Sequence, residues 1–363
     1  MRRNLSEDSI RKILQYEVLT DLGIDEIRRA FIEEEGIAEF APDGFFRTDP
    51  RNGVQIVYNS ARARRPHDNR PASSKVKFDS DQRDCLICQG RTTRVLDLAP
   101  LSEGFTFINK NLFPIFFPFE EDRHAPGESV IDGDSVHGYH FLQWTSSFHD
   151  KDWHNMPFSD RVVVLERLAA LEQKMLVSPD IYVSIIKNYG HLVGGSLAHG
   201  HQQISVSNIT PNCIFLDQQF KEKFGEPFSA YMLRENPSSL LIRDYGPAVL
   251  MTPYFMRRPY DMFLLLKDTT KSYLHDLTED EIAATADGWH DAIKIMLDVM
   301  PAIGKEAAYN VTTHNGTGGG LYFEFLPYTQ EMGGFEHLGL YLCQGNPEQS
   351  AQTAREILEA FVA

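Results

Sequence analysis

Cysteine is scarce in this chain, with four residues in 363, too few for a disulfide framework of the kind that staples small secreted domains. Two of the four stand together in Cys85-Leu-Ile-Cys88, a spacing that reads as half of a metal site. Long apolar runs are missing as well. No stretch reaches the roughly 18 apolar residues that suggest a membrane-spanning helix. The opening residues, MRRNLSEDSIRKILQYEVL, interleave charges where a secretory signal has an uninterrupted apolar core. Both absences predict a soluble, cytosolic protein with no membrane partner. Positive charge is in deficit: 35 Lys plus Arg face 51 Asp plus Glu, a formal net charge of −16, which opposes any general attraction to nucleic acid. Phosphate chemistry would then rest on a local basic cluster. Apolar content is ample at 42%, enough to bury one large core or two ordinary ones.

Residues 6–35 place Ile10, Ile13, Leu14, Val18, Leu19, Leu22, Ile27 and Phe31 at helical spacing, with Ser6 and Asp8 as start signals, and predict one or two amphipathic helices in an N-terminal appendage over 1–50. Residues 60–84 are basic and then acidic without a period, and read as an extended loop leading to the cysteine pair. Beyond it a pattern repeats. Strands are expected at 105–108 and 139–144, a helix at 159–176, and strands at 182–187 and 198–206. The same order returns with strands at 248–252 and 262–266, a helix at 279–300, and strands at 309–313 and 321–326. A further strand at 338–342 and a helix at 347–361 close the chain. Two such β-β-α-β-β passes predict an α+β fold, helices packed on antiparallel sheet, with a pseudo-twofold relation between a unit at 51–235 and a degenerate one at 236–363.

The richest segment is Gly194-Gly-Ser-Leu-Ala-His-Gly-His-Gln-Gln203. In a strand alternate side chains share a face, so His199, His201 and Gln203 are expected to project together. The glycines upstream expose backbone amides of the kind a phosphate needs, since its oxygens only accept. A neutral imidazole is a competent nucleophile at phosphorus near pH 7. In the second pass the corresponding residues are Tyr322-Phe-Glu324 after Asn315-Gly-Thr-Gly-Gly-Gly, so one half is expected to carry the chemistry and the other to support it.

Gly-x-Ser-x-x-His-x-His-x-Gln is filled by Ser196, His199, His201 and Gln203, with Asn188 eight positions before the serine. Further matches are Tyr58-Asn-Ser-Ala-Arg-Ala-Arg-Arg-Pro66, Cys85-Leu-Ile-Cys88, Asn111-Leu-Phe-Pro114, Ser146-Ser-Phe-His149 and Thr252-Pro-Tyr-Phe-Met-Arg-Arg-Pro-Tyr260. In these the chain resembles the galactose-1-phosphate uridylyltransferase branch of the histidine-triad (HIT) superfamily, over roughly residues 50–360. The resemblance implies tandem HIT-like units and a nucleotidyltransferase in which His201 takes the nucleoside monophosphate as a covalent phosphoramidate before passing it to an acceptor. It implies that Ser196, Gly195 and Asn188 hold phosphoryl oxygens, that Arg62 and Arg65 grip phosphates, and that Asn111 and Phe113 meet the nucleoside. It also implies a homodimer. A zinc ion held by Cys85, Cys88, His149 and His199 would have four protein ligands and no open position, and so be structural. His154 competes with His149 as ligand. The family's additional metal site has no counterpart, because Tyr322 and Glu324 replace its histidine pair.

Gln203 stands where hydrolytic relatives tend to carry a histidine. An amide donates a hydrogen bond but supplies no proton at pH 7, which tilts the reading from hydrolysis towards transfer onto a phosphate or sugar phosphate. Arg64, Arg70, Arg257 and Arg258 read as solvated cations. Where the uridylyltransferases read hexose hydroxyls with Tyr-Glu, this chain has Gly339-Leu-Tyr-Leu-Cys343. Donor and acceptor therefore stay open: a nucleotide sugar or a dinucleoside polyphosphate, with inorganic phosphate as the acceptor of a phosphorylase, or water as that of a hydrolase. Two other readings are a zinc-stapled nucleotide-binding protein without turnover, and a metal hydrolase with a catalytic ion at His199 and His201.

Overall fold

The structure, a computed structural model, describes residues 19–34, 36–48, 55–57, 61, 85–119 and 134–362. The expected helical residues 6–18 and most of the loop at 60–84 lie outside these. The fold is α+β, and the chain divides into two compact units: one of residues up to 151 with 167–185 and 199–216, the other of 152–166, 186–198 and 217–363. Among the described residues no helix is long and apolar enough to cross a membrane.

The first unit contains β1 (Phe45–Thr48), β2 (Gln55–Val57), β3 (Val95–Pro100), β4 (Phe105–Lys110), β5 (Asp134–Ser135), β6 (Gly138–Trp144), the first half of β7 (Tyr182–Tyr189) and β8 (His201–Ser207). A small sheet runs β2-β1-β5, and the main one β3-β4-β6-β8-β7. The β6/β8 pair is antiparallel and sets Leu142 opposite Gln203 and Trp144 opposite His201. Phe107, Phe141, Ile204 and Val206 are buried in these strands. The helix Ile24–Ile32 lays Phe31 edge-on to Phe141 and Tyr139, ring centroids 5.2 and 5.1 Å away. Buried Asp97 receives Arg167 in a bidentate pair at 2.6 and 2.7 Å, where two parallel charge-assisted bonds fix the geometry.

The second unit holds the other half of β7, then β9 (Leu241–Asp244), β10 (Ala248–Met251), β11 (Met262–Leu266), β12 (Tyr309–His314) and β13 (Tyr322–Pro327), in the order β7-β12-β13-β11-β10-β9. Asn188 of β7 pairs with Asn310 of β12. Against this sheet packs the helix Glu279–Ala302, which starts in a capping box: Thr278 Oγ1 accepts the Glu281 amide at 3.3 Å and Glu281 Oε2 accepts the Thr278 amide at 2.8 Å. Trp289 on its buried face meets Phe323 and Phe325 edge-on, and Gly288 beside it lets Leu264 pack directly on the helix backbone.

Among the described residues the main sheet carries one strand more than expected in each pass, β3 in the first and β9 in the second, and the small sheet of β1, β2 and β5 was not expected. The helices Asn212–Phe224 and Phe228–Glu235 were not foreseen either. The strand expected at 338–342 does not form. A short helix, Gly334–His337, ends there, Gly339 takes φ +82, and the Leu340 amide turns back to Phe335 O at 2.9 Å. The apolar run that suggested a strand is solvent-facing, with Leu338 76% exposed.

Trp289 is 1% exposed, so Trp289→Ala should cost about 3–5 kcal/mol through lost burial and the cavity left behind. Urea unfolding checks this as a lower midpoint at unchanged slope.

Candidate active site

His199 is not part of a strand; β8 begins at His201. The Gly200 carbonyl accepts the Thr145 amide at 3.0 Å, and this contact holds the preceding residue so that the fully buried His199 ring faces the cysteines. Its Nδ1 lies 3.7 Å from Cys85 Sγ and 3.6 Å from Cys88 Sγ, and Cys88 Sγ lies 3.5 Å from His149 Nδ1. One donor atom from each of Cys85, Cys88, His149 and His199 falls within 4.8 Å of all the others. Zinc bonds of about 2.3 Å to sulfur and 2.0–2.1 Å to nitrogen, set at tetrahedral angles, put S and N about 3.5–3.6 Å apart. The observed separations match. A thiol–imidazole hydrogen bond would use the single Nδ1 lone pair once, whereas here two sulfurs converge on one nitrogen, as ligands do around a common centre. The Cys85 thiol is held well below the usual range, first by Cys88 and then by His149 and His199, while Cys88 is pushed up by its neighbour. A thiolate is the form that binds metal. His154 belongs to the second unit, beside Asp152 and Lys187.

The second ring nitrogen of His199, Nε2, donates to Ser146 O at 2.8 Å, which leaves Nδ1 with its lone pair towards the thiols. The backbone of the same residue has another use. The carbonyl of His199 accepts the Nδ1–H of His201 at 2.8 Å. A carbonyl only accepts, so the proton sits on Nδ1 and the lone pair on Nε2. Trp144 holds the His201 ring, centroids 5.0 Å apart, and donates its own Nε1–H to Asn109 at 2.9 Å.

Gln203 shares the strand face of His201. The Ile115 amide donates to His140 Nδ1 at 3.2 Å, which makes His140 Nε2 the protonated nitrogen; this donates to Gln203 Oε1 at 3.2 Å. With its oxygen committed, Gln203 presents its NH₂ as donor. Asn111 lies in the same network, its Nδ2 3.3 Å from His140 Nδ1 and its Oδ1 accepting the Phe113 amide at 2.9 Å, and Phe113 packs edge-on to Phe40. His140 and Trp144 were not singled out in the sequence. Their signal was the alternation along β6, which gives them one face.

The remaining candidates lie in the second unit or outside the described residues. Gly195 donates its amide to Gly190 O at 2.9 Å, and a Cβ there would sit 2.7 Å from that oxygen, so only glycine closes the turn that carries half-buried Ser196. Asn188 Oδ1 accepts from Asn310 Nδ2 at 2.7 Å, and the same amide donates to Val193 O at 3.1 Å. Asn310 thus fixes both ends of the glycine loop. Tyr322 and Glu324 join a closed cluster: His314 Nε2 faces Glu324 at 2.9 Å, His314 Nδ1 faces Asp217 at 3.4 Å, and the Tyr322 hydroxyl donates to Asp217 at 3.2 Å. Arg62 and Arg65 lie outside the described residues.

The chain superposes on a solved uridylyltransferase with a TM-score of 0.70 and 19% identity, covering 88% of this chain and all of that one. Its fold is therefore that of this uridylyltransferase, and the likeness extends over most of its length. In sequence it is 24% identical over 335 residues to the ADP-glucose phosphorylase of Arabidopsis thaliana, across 86% of this chain and 92% of that protein. A solved Arabidopsis ADP-glucose phosphorylase with bound ADP-glucose superposes with a TM-score of 0.61 at 18% identity, covering 86% and 97% of the two chains. No protein-family model matches the chain.

Metal analysis of the purified protein should find about one divalent ion per chain. Cys88→Ala and His149→Ala should lose it, weakening affinity by more than the roughly 10–100-fold that removal of an outer partner costs, while His154→Ala should keep it.

Proposed function

We propose that this protein is a nucleotidyltransferase working by double displacement on a nucleotide sugar. The observation that carries the reading is the fixed tautomer of His201, whose Nδ1–H is held by the His199 carbonyl so that Nε2 carries the lone pair. In the proposed reaction Nε2 attacks the α-phosphorus, the bond from that phosphorus to the bridging oxygen breaks, and sugar 1-phosphate leaves. An oxygen of the acceptor phosphate then attacks the same phosphorus and releases the histidine. Splitting one displacement into two leaves a covalent intermediate between them. Gln203 donates to a phosphoryl oxygen in both steps, and Ser196, Asn188, Arg62 and Arg65 hold the rest of the phosphate charge. A leaving phosphate is already a good anion, so the absence of a general acid at Gln203 costs little.

The donor set Cys85, Cys88, His149 and His199 fits zinc, which with four protein ligands fixes His199 and supplies no reacting group. The domain reading is an N-terminal segment at 1–50, a catalytic HIT-like unit at 51–235 and a degenerate one at 236–363, with the two units related by duplication. Its support is topological: within the main sheet the five strands β3, β4, β6, β7 and β8, and likewise the five β9 to β13, counted in chain order, lie as first, second, third, fifth, fourth. A homodimer is part of the same reading. Inorganic phosphate as acceptor, giving a phosphorylase, is favoured by the similarity to ADP-glucose phosphorylase.

Intact-protein mass spectrometry after incubation with ADP-glucose, UDP-glucose, GDP-mannose or diadenosine tetraphosphate tests the reading. The expected result is a gain of one nucleoside monophosphate, absent in His201→Ala and discharged by inorganic phosphate or a sugar phosphate faster than by water. No gain with any donor in the metal-loaded protein would count against it. Gln203→Ala should retain the adduct while lowering kcat about 10²-fold, the usual cost of one transition-state hydrogen-bond donor.

A further inference from the structure

The glycine loop of the second unit spends its own amides. Val193 donates to Gly190 O at 3.4 Å, Gly194 to His191 O at 3.3 Å and Gly195 to Gly190 O at 2.9 Å, so three successive N–H groups close the turn on itself. These are amides that a glycine-rich turn otherwise leaves to an anion. A phosphate on this loop therefore depends on side-chain donors. Asn188, near the end of β7, supplies an amide group beside it: Nδ2 lies 3.8 Å from the point where a Cβ on Gly194 would stand.

Which end of that amide faces the loop is decided one strand away. A carboxamide has a donor end and an acceptor end of nearly the same shape. Asn310 lies directly opposite Asn188 on β12, next to the pair Tyr189 and Tyr309, whose stacked rings lie 5.0 Å apart between centroids. The Asn310 side chain reaches Val193 O at 3.1 Å, and a carbonyl only accepts, so the Asn310 atom there is Nδ2. The same nitrogen meets the Asn188 side chain at 2.7 Å, and a donor needs an acceptor, so the Asn188 atom is Oδ1. Both Nδ2 protons of Asn310 are then used. Asn188 is left with its own Nδ2 towards Gly194, where among the described residues it has no acceptor.

We infer that Asn310 is a positioning residue for phosphate: it turns the Asn188 amide so that N–H bonds face the glycine loop, and it ties Val193 so that the loop stays against them. A phosphoryl oxygen only accepts, so the opposite orientation of Asn188 sets oxygen against oxygen. Hydrogen bonds to charged groups are stronger than neutral ones, which makes the direction of one amide a measurable factor in binding. Asn310 touches no phosphate itself. Its role rests on the proposed function, in which this loop holds phosphoryl oxygens.

Asn310→Asp keeps the shape and removes both donors. The carboxylate, ionised at pH 8, only accepts, so Asn188 turns Nδ2 to it and Oδ1 to the loop. Equilibrium binding of ADP, UDP and GDP to metal-loaded full-length His201→Ala protein tests this in a double-mutant cycle with Asn188→Ala, run on the nucleotide that binds most tightly. Asn188→Ala alone should weaken that nucleotide about tenfold. Asn310→Asp should weaken it about tenfold or more where Asn188 is present, and by about twofold or less in Asn188→Ala. A carboxylate that only repelled phosphate, or only loosened the fold, costs the same factor in both backgrounds; that result overturns the positioning role and leaves the loop as the phosphate site. Should Asn310→Asp fail to fold, Asn310→Leu, with neither donor nor charge, reads the same coupling, expected as a factor of about three that disappears in Asn188→Ala. Unchanged binding in Asn188→Ala removes phosphate from the loop, and the positioning role with it. Failure of the His201→Ala protein to bind any of the three nucleotides overturns the transferase reading as well.

Discussion

The first unit depends on one residue used three ways. His199 turns Nδ1 towards two sulfurs, ties Nε2–H to the Ser146 carbonyl, and gives its own carbonyl to His201. Each contact removes a freedom from the next. Without the sulfurs the ring has no reason to be buried in a loop, and without a fixed His199 backbone the His201 tautomer is unconstrained. The cluster therefore reaches the His201 ring through a single backbone oxygen. Under the proposed function, the energetics of the metal site and the orientation of the nucleophile become one quantity.

The supporting network is built from neutral partners. His140 lies between the Ile115 amide and Gln203, and Trp144 lies between Asn109 and the His201 ring. None of these contacts places a fixed charge beside the His201 ring. Ion pairs sit in the scaffold instead, as in Asp97 with Arg167 and Lys187 with Asp152 at 2.7 Å. Structural rigidity and chemical poise thus draw on different kinds of interaction.

Much of this was legible in the chain. The helix Glu279–Ala302 lies close to the expected 279–300, and strands with β-branched and aromatic residues stand close to where they were expected. The motif residues Cys85, Cys88, His149 and His199 meet, with one donor atom of each within 4.8 Å of the others. What stayed hidden has physical causes. β3 contains Asp97 and ends in Pro100, so its pattern is broken by a residue whose partner, Arg167, is 70 positions away. The run Leu338–Leu342 looked like a strand because apolarity was read without a partner to bury it. His140 was invisible because its role lies in two hydrogen bonds across strands, and a single sequence carries no record of register.

The neutrality of the carbonyl that holds His201 has an energetic consequence. A carboxylate at Nδ1 would draw the proton towards itself as phosphorus bonds to Nε2, and the product would relax towards an uncharged, sluggish phosphorylated imidazole. A peptide carbonyl is too weak a base for that. The ring in the proposed intermediate keeps both substituents and its positive charge, so the P–N bond remains a good leaving bond and the group-transfer potential of the donor passes through the protein nearly intact. Such an arrangement favours a freely reversible exchange, whose direction is set by the concentrations of donor and acceptor rather than by the enzyme.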